Sequence, residues 1–194
     1  MWMHKLRRAM VVPERDPLTG AVEIDETFVG GISRGNTGRS SDTVPVMVAA
    51  ESLGKHRIGR IRLEPTPEGR LTLIASTQRV VTPGAMIKTD GAGELRRLSG
   101  GGFEHQYFTR PGSTIPAHID LPAVHRVASL LKRWMIGTMH YGASREQFAY
   151  YLDEFTFRFN RRTPKSRGLL FYRLMQQAVS TAPHPMKSLV IPKT

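Results

Sequence analysis

The sequence predicts an α/β fold, a mixed sheet flanked by helices. Segments with strand periodicity and segments with helix periodicity follow one another as strand, strand pair, helix, strand, short helix, strand, helix, helix. Turn-forming residues separate these segments. In 194 residues, 40% hydrophobic against 23% charged is enough for one domain-sized core.

Residues 1–12 read as the end of a helix, with Trp2, Leu6 and Met10 at helical spacing and Pro13 as the break. A chain that opens inside a helix is expected to be the continuation of an upstream helical region, here 1–13. "DPLTG" (16–20) is a turn. "AVEIDETFV" (21–29) alternates as a strand, with Val22, Ile24 and Phe28 on one face. Residues 31–43 form a basic loop. "VPVMVAAES" and "HRIGRIRLE" flank "LGK" and read as a hairpin. Thr66 as N-cap and Pro67 at the first helical position predict a helix over 66–81. "GAMIKTDGAGE" holds a short strand ending at Asp90-Gly91, and "FEHQYFT" is a further strand. Pro122 and Gly137 bracket one helix; Ser144 and Gln147 open another as a capping box. A domain over 14–180 and a flexible basic tail over 181–194 complete the reading.

Charge narrows the function. With 28 Lys+Arg against 16 Asp+Glu, a net charge of +12 and pI near 10.7, the chain is suited to a polyanion, and nucleic acid is the commonest inside cells. The apolar runs are far too short to span a bilayer, so no membrane partner is expected. The sequence has no cysteine, which excludes disulfides and thiolate zinc sites within it and fits a cytoplasmic protein.

Against that basic background, Asp25 lies mid-strand and Asp90 at a strand end, each preceded by apolar residues. A carboxylate there is costly unless it is paired or holds a cation. Taken singly, either could be a solvated strand end or an ion-pair partner. In "PAVHRVASLLKRW", His125, Ser129 and Lys132 fall at i, i+4 and i+7, on one helical face. Val124, Val127, Leu131 and Trp134 cover the apolar side. Two strand carboxylates and a helix imidazole can chelate divalent cations that activate water in phosphodiester cleavage, with Lys132 reaching the DNA backbone.

"VEIDETFVGG", "KTDG", "LLKRW", "YLDEFTFRFNRR" and "LLFYRLMQQAV" together resemble the ISXO2-like insertion-sequence transposases, from about residue 2 to 179. The resemblance implies a DDE-type enzyme with a ribonuclease-H-like catalytic domain. It places the family's two aspartates on Asp25 and Asp90, its lysine on Lys132 and its third ligand on His125, 35 positions after Asp90. Asp25, Asp90 and His125 are then both the catalytic set and the ligands of Mg²⁺ or Mn²⁺. Histidine departs from the DDE pattern. It offers one lone pair and no charge, so weaker Mg²⁺ binding and good function with Mn²⁺ are expected. Asp120 is the alternative third ligand, or a helix cap. Glu23 shares a strand face with Asp25 and is supporting or incidental; Glu26 lies on the other face, supporting the site or paired with an arginine.

No acidic residue follows Glu154, and "FTFRFNRRTPKSRG" mixes aromatics with arginines. Lys132, Arg133, Arg158, Arg161, Arg162 and Lys165 are the expected DNA contacts, weakly selective and salt-sensitive. Phe155 and Phe159 are expected to pack the helix rather than stack on bases. The implied partners are transposon ends and target DNA, with a homo-oligomer assembled on them near a prokaryotic nucleoid. Family members carry a zinc ribbon upstream, which this cysteine-free sequence lacks; the chain is expected to be N-terminally truncated, and truncation could leave it inactive. The other readings are a non-catalytic nucleic-acid-binding remnant and a ribonuclease-H-like nuclease acting on RNA or branched DNA.

Overall fold

Among the described residues, five strands in the order β3-β2-β1-β4-β5 make one mixed sheet. The computed structural model describes residues 2–10, 17–30, 43–54, 57–66, 70–90, 97–99, 101–108, 117–139, 147–163, 166 and 168–182. The strands are β1 (Ala21–Val29), β2 (Val44–Ser52), β3 (Ile58–Pro65), β4 (Met86–Thr89) and β5 (Glu104–Tyr107). The helices are α1 (Trp2–Met10), α2 (Arg70–Val80), α3 (Ala117–Asp120), α4 (Pro122–Met139), α5 (Phe148–Asn160) and α6 (Gly168–Ser180). β1, β2 and β3 form an antiparallel meander; β4 pairs parallel with β1, and β5 parallel with β4. This mixed sheet with helices on its faces agrees with the ribonuclease-H-like fold expected from the sequence. Among the described residues no helix is long and apolar enough to cross a membrane.

Strand alternation divides the core in two. Val22 and Ile24 of β1 join Met47, Ala49, Ile87 and Leu73 of α2 on one face. On the other, Val46, Val48, Ala50, Ile61 and Leu63 meet Val124, Val127 and Leu131 of α4 and Leu152 and Phe155 of α5. Glu23 and Asp25 lie across from Ala50 and Val48, so both carboxylates point toward α4 and α5. Phe159 packs on the same cluster, and Phe155 stacks against it at 6.0 Å, as the packing expectation required.

Several boundaries differ from the sequence reading. Thr66 does not act as a cap: its hydroxyl donates to Glu26 Oε1 at 2.9 Å, and its amide donates to Pro45 O. Gly137 is helical, and α4 runs on to Met139. Gln147 takes the N-cap position of α5 without a side-chain cap bond, and Ser144 lies outside the described residues.

The "FTFRFNRR" segment serves the fold directly. Asn160 accepts the Ile61 amide at 2.7 Å through Oδ1 and donates Nδ2 to Ile61 O at 3.0 Å. Arg162 donates to Ile58 O and to Gly59 O, and lies over the Phe159 ring at 4.1 Å. Asn160→Ala strips β3 of both bonds, and equilibrium urea unfolding should show a loss of about 1–3 kcal/mol.

α1 docks on α5 through cations as well as apolar groups. Arg7 bonds the buried Glu154 at 2.7 Å and lies over the Tyr151 ring, and Arg8 donates to Tyr150 Oη. Glu154 also takes Arg158 at 2.7 Å. At the preceding residue, burial pushes the Asp153 carboxyl up to about 7, with Glu64 adding to the rise and Arg8 and Arg62 opposing it. An acid whose pKa is raised on folding binds its proton more tightly when folded, so its unfavourable contribution grows as pH climbs from about 4 to 7. Asp153→Asn should remove that pH dependence. Thermal melts at pH 5 and pH 8 should show the variant's advantage over wild type larger at pH 8 by about 1–3 kcal/mol.

Candidate active site

The site is built where β1 and β4 run side by side beneath α4. Ala21, Val22 and Glu23 pair with Met86, Ile87 and Lys88. Two residues beyond the last of these pairs, each chain carries an aspartate: Asp25 within β1, and Asp90 directly after the end of β4. α4 crosses this face, and its His125 Nε2 stands 3.9 Å from Asp25 Oδ2. Asp25 Oδ1 accepts the amide of Glu26 at 2.8 Å.

Electrostatics mark the same spot. Burial pushes the Asp25 carboxyl up to about 6; the Glu26 amide opposes the rise, the negative charges of Asp90 and Glu26 add to it, and Lys132 counters it. Asp25 and His125 are each about one-quarter to one-third exposed, whereas Asp90 and Lys132 are exposed. Of the residues expected together from the sequence, Asp90 and Lys132 act by charge on the Asp25 carboxyl, and His125 approaches it. The side chain facing Asp25 is His125; Asp120 closes α3, before the helix that carries His125. Among the described residues no group of three His, Asp or Glu side chains is drawn tightly enough to hold a metal ion.

The donor chemistry nonetheless fits a hard divalent cation. One carboxylate and one imidazole are within 3.9 Å, and a second carboxylate lies within electrostatic reach. The strain on Asp25 is excess negative charge in a partly dry place, and a cation would relieve it.

Sequence reasoning gave Glu23 a supporting or incidental place. It is 2% exposed, and its Oε2 accepts the Ala123 amide at 2.7 Å and the Val124 amide at 3.2 Å. Glu23 thus receives the first turn of α4, satisfying orphan donors and complementing the helix dipole. Burial raises its pKa, and the two amides, Ser52 and Lys88 pull the other way. The available signal was Glu23 two positions before Asp25, on the same face.

The proposed DNA contacts are placed unevenly. Lys132 and Arg133 are exposed on α4. Arg158 is exposed but pairs with Glu154, Arg161 lies over the Phe157 ring at 4.2 Å, and Arg162 serves β3. Lys165 lies outside the described residues.

A search of curated proteins finds no match. Residues 17–160 match the family model of the ISXO2-like transposase domain, a span that holds the whole sheet, α4 and α5, and the chain belongs to that family.

Proposed function

We propose that the chain is the catalytic domain of an insertion-sequence transposase, a DDE-type polynucleotidyl transferase that nicks the element's end and joins the freed 3′-hydroxyl to target DNA. The catalytic unit spans 14–180. The observation that carries this reading is the approach of His125 Nε2 to Asp25 Oδ2, with the charge of Asp90, just past the end of β4, acting on the same carboxyl.

Asp25, Asp90 and His125 would hold Mg²⁺ or Mn²⁺. When bound, such a cation activates water and stabilises the leaving oxygen of an in-line displacement. The chain's own groups prepare that step. Asp25 is held partly out of water with its Oδ1 fixed by the Glu26 amide, which leaves the ionised carboxylate poorly hydrated and disposed to take a counter-cation. Glu23 fixes the first turn of α4 and thereby the height of His125 above the strand. Lys132 and Arg133, exposed on the same helix, supply cationic contacts for the phosphate backbone. Because the His125 imidazole suits the softer ion, the site would be better served by Mn²⁺ than by Mg²⁺. DNA, as element ends and target, is the partner; a homo-oligomer assembles on it, in the nucleoid-bearing cytoplasm.

The test is Mn²⁺-dependent nicking of supercoiled plasmid, with Asp25→Asn as control, followed by strand transfer on the element's terminal repeats. Nicking without joining would reassign the chain as a nuclease. A second reading, a DNA-binding protein without turnover, draws on the absence of a closed three-ligand cluster among the described residues. Absence of nicking in both ions would favour it.

A further inference from the structure

Beside the candidate site, on the far side of His125, lies a cavity of about 340 Å³ between the β2–β3 turn and the start of α4. Ile58, Pro122 and Ala123 give it an apolar floor; Arg57, Arg126 and Ser129 stand round it, and His125 forms one wall. Among the described residues that line it there is no carboxylate. The ring of His125 is therefore shared: Nε2 approaches Asp25, while the residue borders the cavity. Arg57 and Arg126 are exposed; Arg57 Nη2 donates one long bond to Leu53 O at 3.4 Å, which leaves its charge unneutralised.

The turn is built to present Arg57. Gly54 takes φ +73°, a left-handed conformation suited to glycine, and the Arg57 amide donates to Gly54 O at 3.0 Å. The Leu53 amide returns the bond to Arg57 O at 3.0 Å. Arg126 is fixed separately, one residue after His125 on α4. The two cations thus come from different elements and meet at one mouth.

A bare phosphate would need the cations but neither the volume nor the floor. The cavity falls at the lower end of small-ligand sites, and it joins an apolar surface to two phosphate-binding side chains. That pairing matches a nucleotide unit: base and sugar against aliphatic groups, phosphate on the guanidinium pair, and the Ser129 hydroxyl for a polar edge. We propose that this cavity seats one unstacked nucleotide of the strand adjoining the scissile phosphate, with Arg57 and Arg126 clamping its phosphate. The inference rests on the catalytic reading for its location, since His125 is the wall the two sites share. Seating the nucleotide here holds the strand against the carboxylates without drawing on the basic segment after α5, where Arg158, Arg161 and Arg162 already have intramolecular partners.

The experiment uses the full chain in EDTA, so that binding is read without chemistry. The probes are a ten-nucleotide single strand with a central 2-aminopurine and the same strand in a blunt duplex. 2-Aminopurine brightens when it leaves the stack, and aliphatic floor residues do not quench it. Wild type should brighten the single strand on binding. Arg57→Ala/Arg126→Ala should weaken single-strand binding about ten- to a hundredfold and lower the salt slope by about one to two. Ser129→Tyr fills the cavity from an exposed position without altering charge. It should abolish the brightening while leaving duplex affinity within about threefold, as expected where backbone charge dominates. Brightening that persists in Ser129→Tyr, or single-strand binding unchanged in the arginine pair, overturns the proposal. Nicking by wild type with either of those results leaves the catalytic reading standing and removes the cavity. The expected probe results with no nicking in Mn²⁺ do the reverse.

Discussion

Asp25→Asn should abolish Mn²⁺-dependent nicking and, in the same preparation, raise the stability of the metal-free protein. The first effect follows from position. Asp25 is the carboxylate that His125 faces at 3.9 Å, and losing a ligand charge at a metal-assisted step forfeits several kcal/mol of transition-state stabilisation. At 1.36 kcal/mol per decade, the rate falls on the order of 10³-fold or more. The second effect follows from burial. A half-buried carboxylate beside Asp90 and Glu26 costs the apoprotein free energy whenever it is ionised, which is why its pKa stands near 6. The neutral amide removes that cost, so at pH 8 in EDTA the variant should gain about 1–2 kcal/mol, read as a higher Tm. A variant that loses activity and also stability would point to a structural role for Asp25. One that keeps nicking would remove it from the catalytic set.

Glu23→Ala should be the most damaging single change to the fold around the site. Two buried amides of the first turn of α4 lose their acceptor, each at about 1–3 kcal/mol, and the dipole complement goes with them. Relief of the carboxylate's own burial offsets part of this, leaving a net loss of about 2–3 kcal/mol and a Tm lower by about 5–10 °C. Glu23→Gln keeps an acceptor oxygen and should stay within about 1 kcal/mol of wild type. Because the residue acts through α4, nicking by Glu23→Ala should remain depressed well below its own Tm, with a higher Mn²⁺ requirement. Glu23→Gln should restore most of it. A Glu23→Ala protein that melts like wild type would show that α4 is held by its apolar face alone.

Much of this was legible in the sequence because it is local. The alternation of "AVEIDETFV" gives β1 its bounds and turns Val22 and Ile24 to one core and Asp25 to the other. The helical spacing of Val124, Val127 and Leu131 fixes which side of α4 is buried, and so which side carries His125. What was not legible depends on partners distant in the chain. Glu23 reads as a spare acid until the amides of Ala123 and Val124, a hundred residues on, are seen to end on it. Thr66 has the composition of an N-cap, but Glu26 on β1 competes for its hydroxyl. The arginines after Glu154 count as surplus charge in a composition. In space, Glu154, an aromatic ring and β3 carbonyls each engage one of them.

The Asn160 and Arg162 bonds to β3 bear on how such domains can assemble. An outermost strand with open amides and carbonyls invites another chain to add itself as the next strand. Here a side-chain amide imitates that newcomer at Ile61, and a guanidinium occupies the carbonyls just before it. A second chain would have to evict those groups before extending the sheet along this margin, so any such extension is directed to the other edge strand, β5.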